Sequence, residues 1–184
     1  MTKGRKIFIT GGVRSGKSRL ALSLANKFSR PRIFIATAQP FDPEIKKRIQ
    51  HHQAERGKNF STREVPLYLS KAVESLPPKS VSIIDCLTLW LNNLLFHFKN
   101  DERRVTQEID CFTQSLERSP SQIICISNET GWGIIPPNKL SRQFIEKMGC
   151  INQKAAAASD EVILMVAGLP HWLKGKKNDK QLSR

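Results

Sequence analysis

Short runs of β-forming residues alternate with longer stretches of helical spacing along most of the chain. Lys6-Ile7-Phe8-Ile9-Thr10, closed by Gly11-Gly12, predicts a buried strand that ends in a turn. Ser18 to Phe28 carries Leu20, Leu24 and Phe28 at a spacing of four, which predicts a helix. Arg32 to Ala36 reads as a second strand. Asp42-Pro43-Glu44 reads as a helix start, with Asp as cap and Pro at the first helical position; Ile45 and Ile49 follow on one face, and Gly57 is the stop. Phe60–Val65 predicts a short strand and Leu67–Leu76 a helix, broken by Pro77-Pro78. Val81–Asp85 is a strand ending in an acid. Leu87–Phe98 is apolar on more than one face, the pattern of a helix buried all round or packed on a partner chain. Asn100–Arg104 reads as a polar loop, Val105–Leu116 as a helix, Gln122–Ile126 as a strand, Asn138–Ser159 as a long helix and Glu161–Val166 as the final strand.

Strands and helices in alternation predict an α/β fold: a mostly parallel sheet with helices on both faces. The 184 residues suit one domain over residues 1–174, followed by a loose basic tail at 175–184. No apolar run approaches the roughly 20 residues of a membrane span, and no signal-peptide stretch precedes the first strand, so a cytoplasmic protein is expected. The four cysteines, Cys86, Cys111, Cys125 and Cys150, are widely spaced without CxxC pairing; reduced thiols are expected rather than a zinc site or disulfide framework. The chain carries 30 Lys+Arg against 16 Asp+Glu, a formal charge of +14. Such a surplus fits either a nucleic-acid binder or a protein with solvated basic faces and a site for phosphorylated ligands. The scattered basic residues, the few aromatics and the lack of a nucleic-acid motif favour the second, with no direct nucleic-acid partner.

Gly11-Gly12-Val13-Arg14-Ser15-Gly16-Lys17-Ser18 fits the pattern G-x-x-x-x-G-K-[ST] and lies between a predicted strand and a predicted helix. Glycines let backbone N–H groups curl around phosphate oxygens, and the helix N-terminus adds its positive dipole end. Lys17 is the residue expected to reach the outer phosphates, and the Ser18 hydroxyl to ligate Mg²⁺. Asp85, at a strand tip, is a candidate second metal ligand; capping of the following helix would use the same position. His51-His52 is a less expected pair. A helical histidine is ordinarily a surface or core residue, but an imidazole nitrogen can also attack phosphorus and form a phosphoramidate. The two lie about 100° apart on a helix, so one acts and the other supports. Asn128-Glu129-Thr130-Gly131-Trp132-Gly133 follows a strand, where α/β sheets bind ligands; Glu129 is suited to a hydroxyl or metal, while a tight turn with a packing Trp fits as well.

Taken together, these motifs resemble the bifunctional adenosylcobinamide kinase / adenosylcobinamide-phosphate guanylyltransferase family of cobalamin biosynthesis. The likeness runs from Ile7 to about Lys174. It rests on the glycine loop, on Phe34-Ile35-Ala36-Thr37-Ala38-Gln39, on Arg48-Ile49-Gln50-His51-His52 and on Thr62 and Glu64. Asp85-Cys86-Leu87-Thr88, Ser127-Asn128-Glu129 with Gly131-Trp132-Gly133-Ile134-Ile135-Pro136, and Asn152-Gln153 through Asp160-Glu161-Val162 complete it. The chain departs from the family pattern at Gly57, Phe60, Thr130 and Pro137.

The resemblance implies a RecA-like P-loop NTPase fold and a homotrimer. It implies phosphorylation of adenosylcobinamide by ATP or GTP, then transfer of GMP from GTP to the product phosphate through a guanylated His51. Gly11, Gly12, Val13, Arg14, Ser15, Gly16, Lys17 and Ser18 map onto its triphosphate cradle; Thr37, Ala38, Gln39, His52, Glu64 and Asp85 map near the nucleotide. Lys17 and His51 are then the catalytic residues, with Ser18 and Asp85 on Mg²⁺. The unperturbed histidine pKa of about 6.5 leaves His51 a neutral ring near neutrality, and Lys46, Lys47 and Arg48 favour that form. Two other readings stand beside this one: a P-loop small-molecule kinase in which His51 is inert, and a nucleic-acid-binding NTPase that uses the basic surface.

Overall fold

A computed structural model describes residues 3–28, 31–39 and 59–175. The histidine-bearing helix expected after Asp42, with His51 and His52, and the basic tail after Gly175 lie outside the described residues. The strands are β1 (Lys6–Gly11), β2 (Arg32–Ala36), β3 (Ser61–Glu64), β4 (Val81–Asp85), β5 (Gln122–Ile126), β6 (Glu161–Val166) and β7 (Leu169–Lys174). The helices are α1 (Lys17–Asn26), α2 (Leu69–Glu74), α3 (Leu87–His97), α4 (Glu102–Arg118) and α5 (Lys139–Ala158). The strands form one sheet in the order β3-β2-β4-β5-β1-β6-β7. Every pairing is parallel except that of β6 with β7.

Central strands of a parallel sheet are covered on both faces, so they read as continuous apolar runs. Their side chains still alternate. Phe8, Ile33, Ile35, Ile84, Ile123, Cys125 and Val162 point to the side covered by α2, α3, α4 and α5. Ile7, Ile9, Phe34, Ile83, Ile124, Ile126 and Ile163 point to the other, where Ala21 and Ala25 bring α1 close. Trp90 is fully buried and packs edge-on against Phe112, with ring centroids 5.0 Å apart.

Two elements differ from the sequence reading, and a third, the apolar helix, settles largely on one of the alternatives it offered. Helix α4 begins at Glu102, inside the stretch expected to be a loop; the Asp101 carboxylate caps it by accepting the Arg104 N–H at 3.2 Å. Glu161–Val166 is not the last strand, because β7 folds back beside it through a turn at Ala167-Gly168, both with positive φ. Pro170 disguises β7, since proline is tolerated only where its missing N–H faces away from the ladder. Helix α3 is covered mainly within the chain, with Leu87, Trp90, Leu91 and Leu94 fully buried, and leaves Phe96 exposed.

The edge of the sheet where β1 begins is held by a buried charge. Lys6 is fully buried, and its ammonium donates to the carbonyls of Gly4 (2.6 Å), Ser119 (2.8 Å) and Ser121 (2.9 Å). Burial pulls its pKa down to about 8, against the attraction of Asp160. Lys6→Met keeps most of the side-chain bulk but removes all three donors. The expected loss is about 1–3 kcal/mol of unfolding free energy, the cost of stranding buried carbonyls, read from urea melts at pH 7.

Candidate active site

Because β1 to β6 run parallel, their carboxyl ends share one edge of the sheet, where α/β proteins bind ligands. That edge collects the loop after β1, Thr37 after β2, Glu64 at the end of β3, Asp85 at the end of β4 and the 127–133 segment after β5.

The loop from Gly11 to Ser18 is shaped by what lies behind it. Gly11 has φ +145, and a Cβ there would sit 2.3 Å from the Met165 carbonyl oxygen on neighbouring β6. Gly16 has φ +94 and opens α1 without a side-chain cap, so the first N–H groups of the helix are left for an anion. The Ser15 N–H donates to the Gly12 carbonyl at 3.4 Å, and the Ser15 carbonyl accepts the Gly168 N–H at 3.1 Å. The β6–β7 turn therefore braces the loop. Gly12, Val13 and Arg14 are exposed on its outer side, while Ser15 is buried.

Lys17 is buried, and its ammonium donates to the carbonyls of Gly12 (2.6 Å) and Gly11 (3.1 Å). Burial lowers its pKa; Cys86 and Asp85 pull the other way. The Ser18 hydroxyl donates to Asp85 Oδ2 at 3.2 Å. Hydroxyl and carboxylate oxygens brought together in this way suit a hard divalent cation that takes its remaining ligands from phosphates and water. Asp85 does not cap α3: the cap position belongs to Cys86, which makes no side-chain capping bond. Burial, with Asp85 adding to it, pushes the Cys86 thiol up to about 11, so it stays protonated near neutrality.

The remaining candidates fall into different settings. Thr37 is fully buried, and its hydroxyl both donates to the Cys86 carbonyl and accepts the Cys86 N–H, each at 2.8 Å. Its own N–H donates to the Asp85 carbonyl at 3.1 Å. Thr37 thus fixes the tip of β4 beside Ser18. Ala38 and Gln39 follow it, partly buried, whereas Glu64 is exposed and pairs in register with Ala36. His51 and His52 lie outside the described residues.

Glu129, a candidate from its place after a strand, is held together with the rest of that segment by polar residues the sequence did not single out for a site, among them Thr10, Thr88 and Asn93. Glu129 Oε1 accepts from the Thr10 hydroxyl at 2.6 Å and from Asn152 Nδ2 at 3.1 Å. Asn152 also accepts from the Ser127 hydroxyl at 2.7 Å. Thr88 Oγ1 accepts from the Asn128 backbone N–H and side-chain amide. Asn93 donates to the Thr37 and Pro66 carbonyls. The available signal was a polar residue on an otherwise apolar stripe: Asn152 sits among Met148, Ile151 and Ala155, and Asn93 among Trp90, Leu91 and Leu94. Trp132 is 69% exposed and does not pack a turn.

A glycine loop between a strand and a helix, a buried lysine inside it, and a hydroxyl–carboxylate pair at the neighbouring strand tip define a P-loop nucleotide-binding protein. Solved structures agree on the fold alone. The RadB recombinase superposes with a TM-score of 0.53 at 13% identity, over 88% of this chain and 74% of that one. The ATPase EscN of the enteropathogenic E. coli type III secretion system gives 0.57 at 14% identity, over 89% of this chain and 43% of that one. The fold is RecA-like. At the level of sequence, the CobU family model, described as cobinamide kinase / cobinamide phosphate guanyltransferase, matches residues 7–173, and the chain belongs to this family of enzymes. The bifunctional adenosylcobalamin biosynthesis protein CobP of Pseudomonas aeruginosa is 41% identical over 169 residues, 91% of this chain and 96% of the relative. The bifunctional adenosylcobalamin biosynthesis protein CobU of Salmonella typhimurium is 38% identical over 175 residues, 89% of this chain and 96% of the relative.

Gly11→Ala is expected to part the tips of β1 and β6, since the new methyl meets the Met165 carbonyl and the residue must keep a positive φ. The strain corresponds to about 1–3 kcal/mol, measured as lost unfolding free energy together with weaker nucleoside triphosphate binding in calorimetry.

Proposed function

We propose that this enzyme phosphorylates adenosylcobinamide with ATP or GTP, and then transfers GMP from GTP to the resulting phosphate through a guanylated His51, releasing pyrophosphate. The observation that carries this reading is the Lys17 and Ser18–Asp85 cradle at the carboxyl edge of the sheet, in a chain of the CobU family. Phosphoryl transfer is largely positioning and charge neutralisation. The Gly11–Ser18 loop binds the phosphates through its backbone N–H groups. Lys17 leaves the Gly11 and Gly12 carbonyls for the outer phosphate oxygens. Ser18 and Asp85 would hold Mg²⁺, which supplies charge neutralisation between the outer phosphates when bound.

Guanylyl transfer uses a second nucleophile. A neutral nitrogen of His51 attacks the α-phosphorus, and the bond to pyrophosphate breaks. Splitting one displacement into two lets the corrinoid phosphate attack later. His52, Gln39, Ala38 and Glu64 contribute to nucleotide binding in this scheme, and Thr37 keeps Asp85 in place for it. The unit spans residues 1–174 with 175–184 as a tail, works in the cytoplasm and assembles as a homotrimer. Exposed Phe96, Trp132, Ile134, Ile135 and Leu140 support the assembly, as apolar surface suited to a subunit contact. No described helix is long and apolar enough to cross a membrane.

Incubation with GTP labelled at the α-phosphate tests the reading. The wild-type protein is expected to retain acid-labile, alkali-stable label, and His51→Ala to retain none. Phosphorylation of cobinamide without any such label would leave a kinase alone. Nucleic-acid-stimulated hydrolysis without corrinoid phosphorylation would point to the nucleic-acid-binding NTPase instead.

A further inference from the structure

One carboxylate beside the phosphate loop has no part in the scheme above. Glu129 stands just past β5, the strand adjacent to β1. Its backbone N–H donates to the Gly11 carbonyl at 3.3 Å. The Lys17 ammonium donates to that same oxygen at 3.1 Å. The Glu129 backbone and Lys17 therefore share one acceptor, which sets residue 129 beside the start of the loop, with its carboxylate on Thr10, the residue just before Gly11. Thr10 and Asn152 pin Oε1 with two hydrogen bonds, while Oε2 takes none from the described residues. The side chain is only partly buried. It forms no ion pair with a described lysine or arginine.

An uncompensated negative charge next to a triphosphate cradle weakens nucleotide binding. A glutamine would accept the same two hydrogen bonds through its amide oxygen, so the network alone does not require the charge. The two proposed reactions differ in what their nucleophiles need. The imidazole and the phosphate monoester of guanylyl transfer attack through lone pairs they already present. The alcohol of the kinase reaction must lose a proton.

We infer that Glu129 is the general base of the phosphoryl-transfer step: Oε2 accepts the hydrogen bond of the corrinoid alcohol and then its proton. This inference rests on the function proposed above. As the O–H bond breaks, the proton passes to Oε2 and the alcohol oxygen bonds to the γ-phosphorus. The bond from that phosphorus to the β–γ bridging oxygen breaks, and the nucleoside diphosphate leaves with the electron pair. Oε1, held by Thr10 and Asn152, fixes the direction in which Oε2 points.

The test compares wild type, E129Q, E129A and E129D in cobinamide phosphorylation, α-label transfer and nucleotide affinity. Loss of a positioned base is expected to slow phosphoryl transfer by about 100- to 1,000-fold in E129Q. Label transfer should fall far less, so that the ratio of the two activities shifts by at least about tenfold, and nucleoside triphosphate should bind at least as tightly as to wild type. Equal losses in both activities, weaker nucleotide binding, or undiminished phosphorylation would each overturn the inference. Should E129Q not fold, E129D supplies the comparison, because it keeps a carboxylate one methylene back. It is expected to outperform E129A in phosphorylation by about tenfold or more, and equal rates would overturn the inference. A wild-type protein inactive on cobinamide would overturn the functional reading itself; an active wild type matched by E129Q would overturn the role of Glu129 alone.

Discussion

The closure of the phosphate loop depends on how β1 meets β6. The Met165 carbonyl occupies the space where any side chain at position 11 would begin, so β1 must end in glycine. One turn later, Gly168 donates its N–H to the Ser15 carbonyl and holds the middle of the loop. Braced on that side, the loop leaves Gly12, Val13 and Arg14 exposed at the carboxyl edge of the sheet, where Asp85 ends β4. Lys17 completes the arrangement. Its ammonium rests on the loop's own carbonyls, buried and with a lowered pKa; in the proposed reaction it exchanges those oxygens for phosphate oxygens, which bind an ammonium more strongly.

The same economy organises the two edges of the sheet. Parallel strands bring their carboxyl ends together, so chemistry gathers there without any long loop having to reach across the molecule. At the opposite edge Lys6 also rests its ammonium on backbone carbonyls, three of them where Lys17 has two, and is fully buried. One lysine is locked and the other is poised. What separates them is the geometry of the neighbouring turn, and composition is blind to it.

That difference marks what the sequence could tell. Alternating apolar runs announced the six parallel strands, and the spacing of glycines, Lys17 and Ser18 announced the cradle, because each rests on local pattern. Strand β7 was hidden by Pro170, which argues against a strand unless the partner geometry is known. The start of α4 was hidden by Asn100, Glu102 and Arg103, which look like a loop until Asp101 is seen accepting a backbone N–H. Thr37 was legible as a site residue only by resemblance. Its local sequence carries no sign that its hydroxyl is committed at both ends to Cys86, 49 positions away. Glu129 was legible as a polar residue after a strand, but its link to Thr10 and Asn152 is long-range and appears only when β5 is laid beside β1 and α5 packs behind them.

Strand order also bears on how one cradle can serve two reactions. Kinase chemistry breaks the bond between the β- and γ-phosphates, whereas guanylyl transfer breaks the one between α and β. Two nucleophiles must then approach different phosphorus atoms of a triphosphate held by a single loop. In the sheet, β4 with Asp85 lies between β2 and β5. The chain bearing His51 joins β2 to β3, and Glu129 follows β5. The two proposed reactive groups thus belong to connections that leave strands on either side of the one that carries Asp85. In the proposed scheme such a division would let each act on its own phosphorus while Lys17, Ser18 and Asp85 serve both. It also explains why a bifunctional enzyme of this design needs no second nucleotide-binding fold: the sheet already offers two flanks around one phosphate grip.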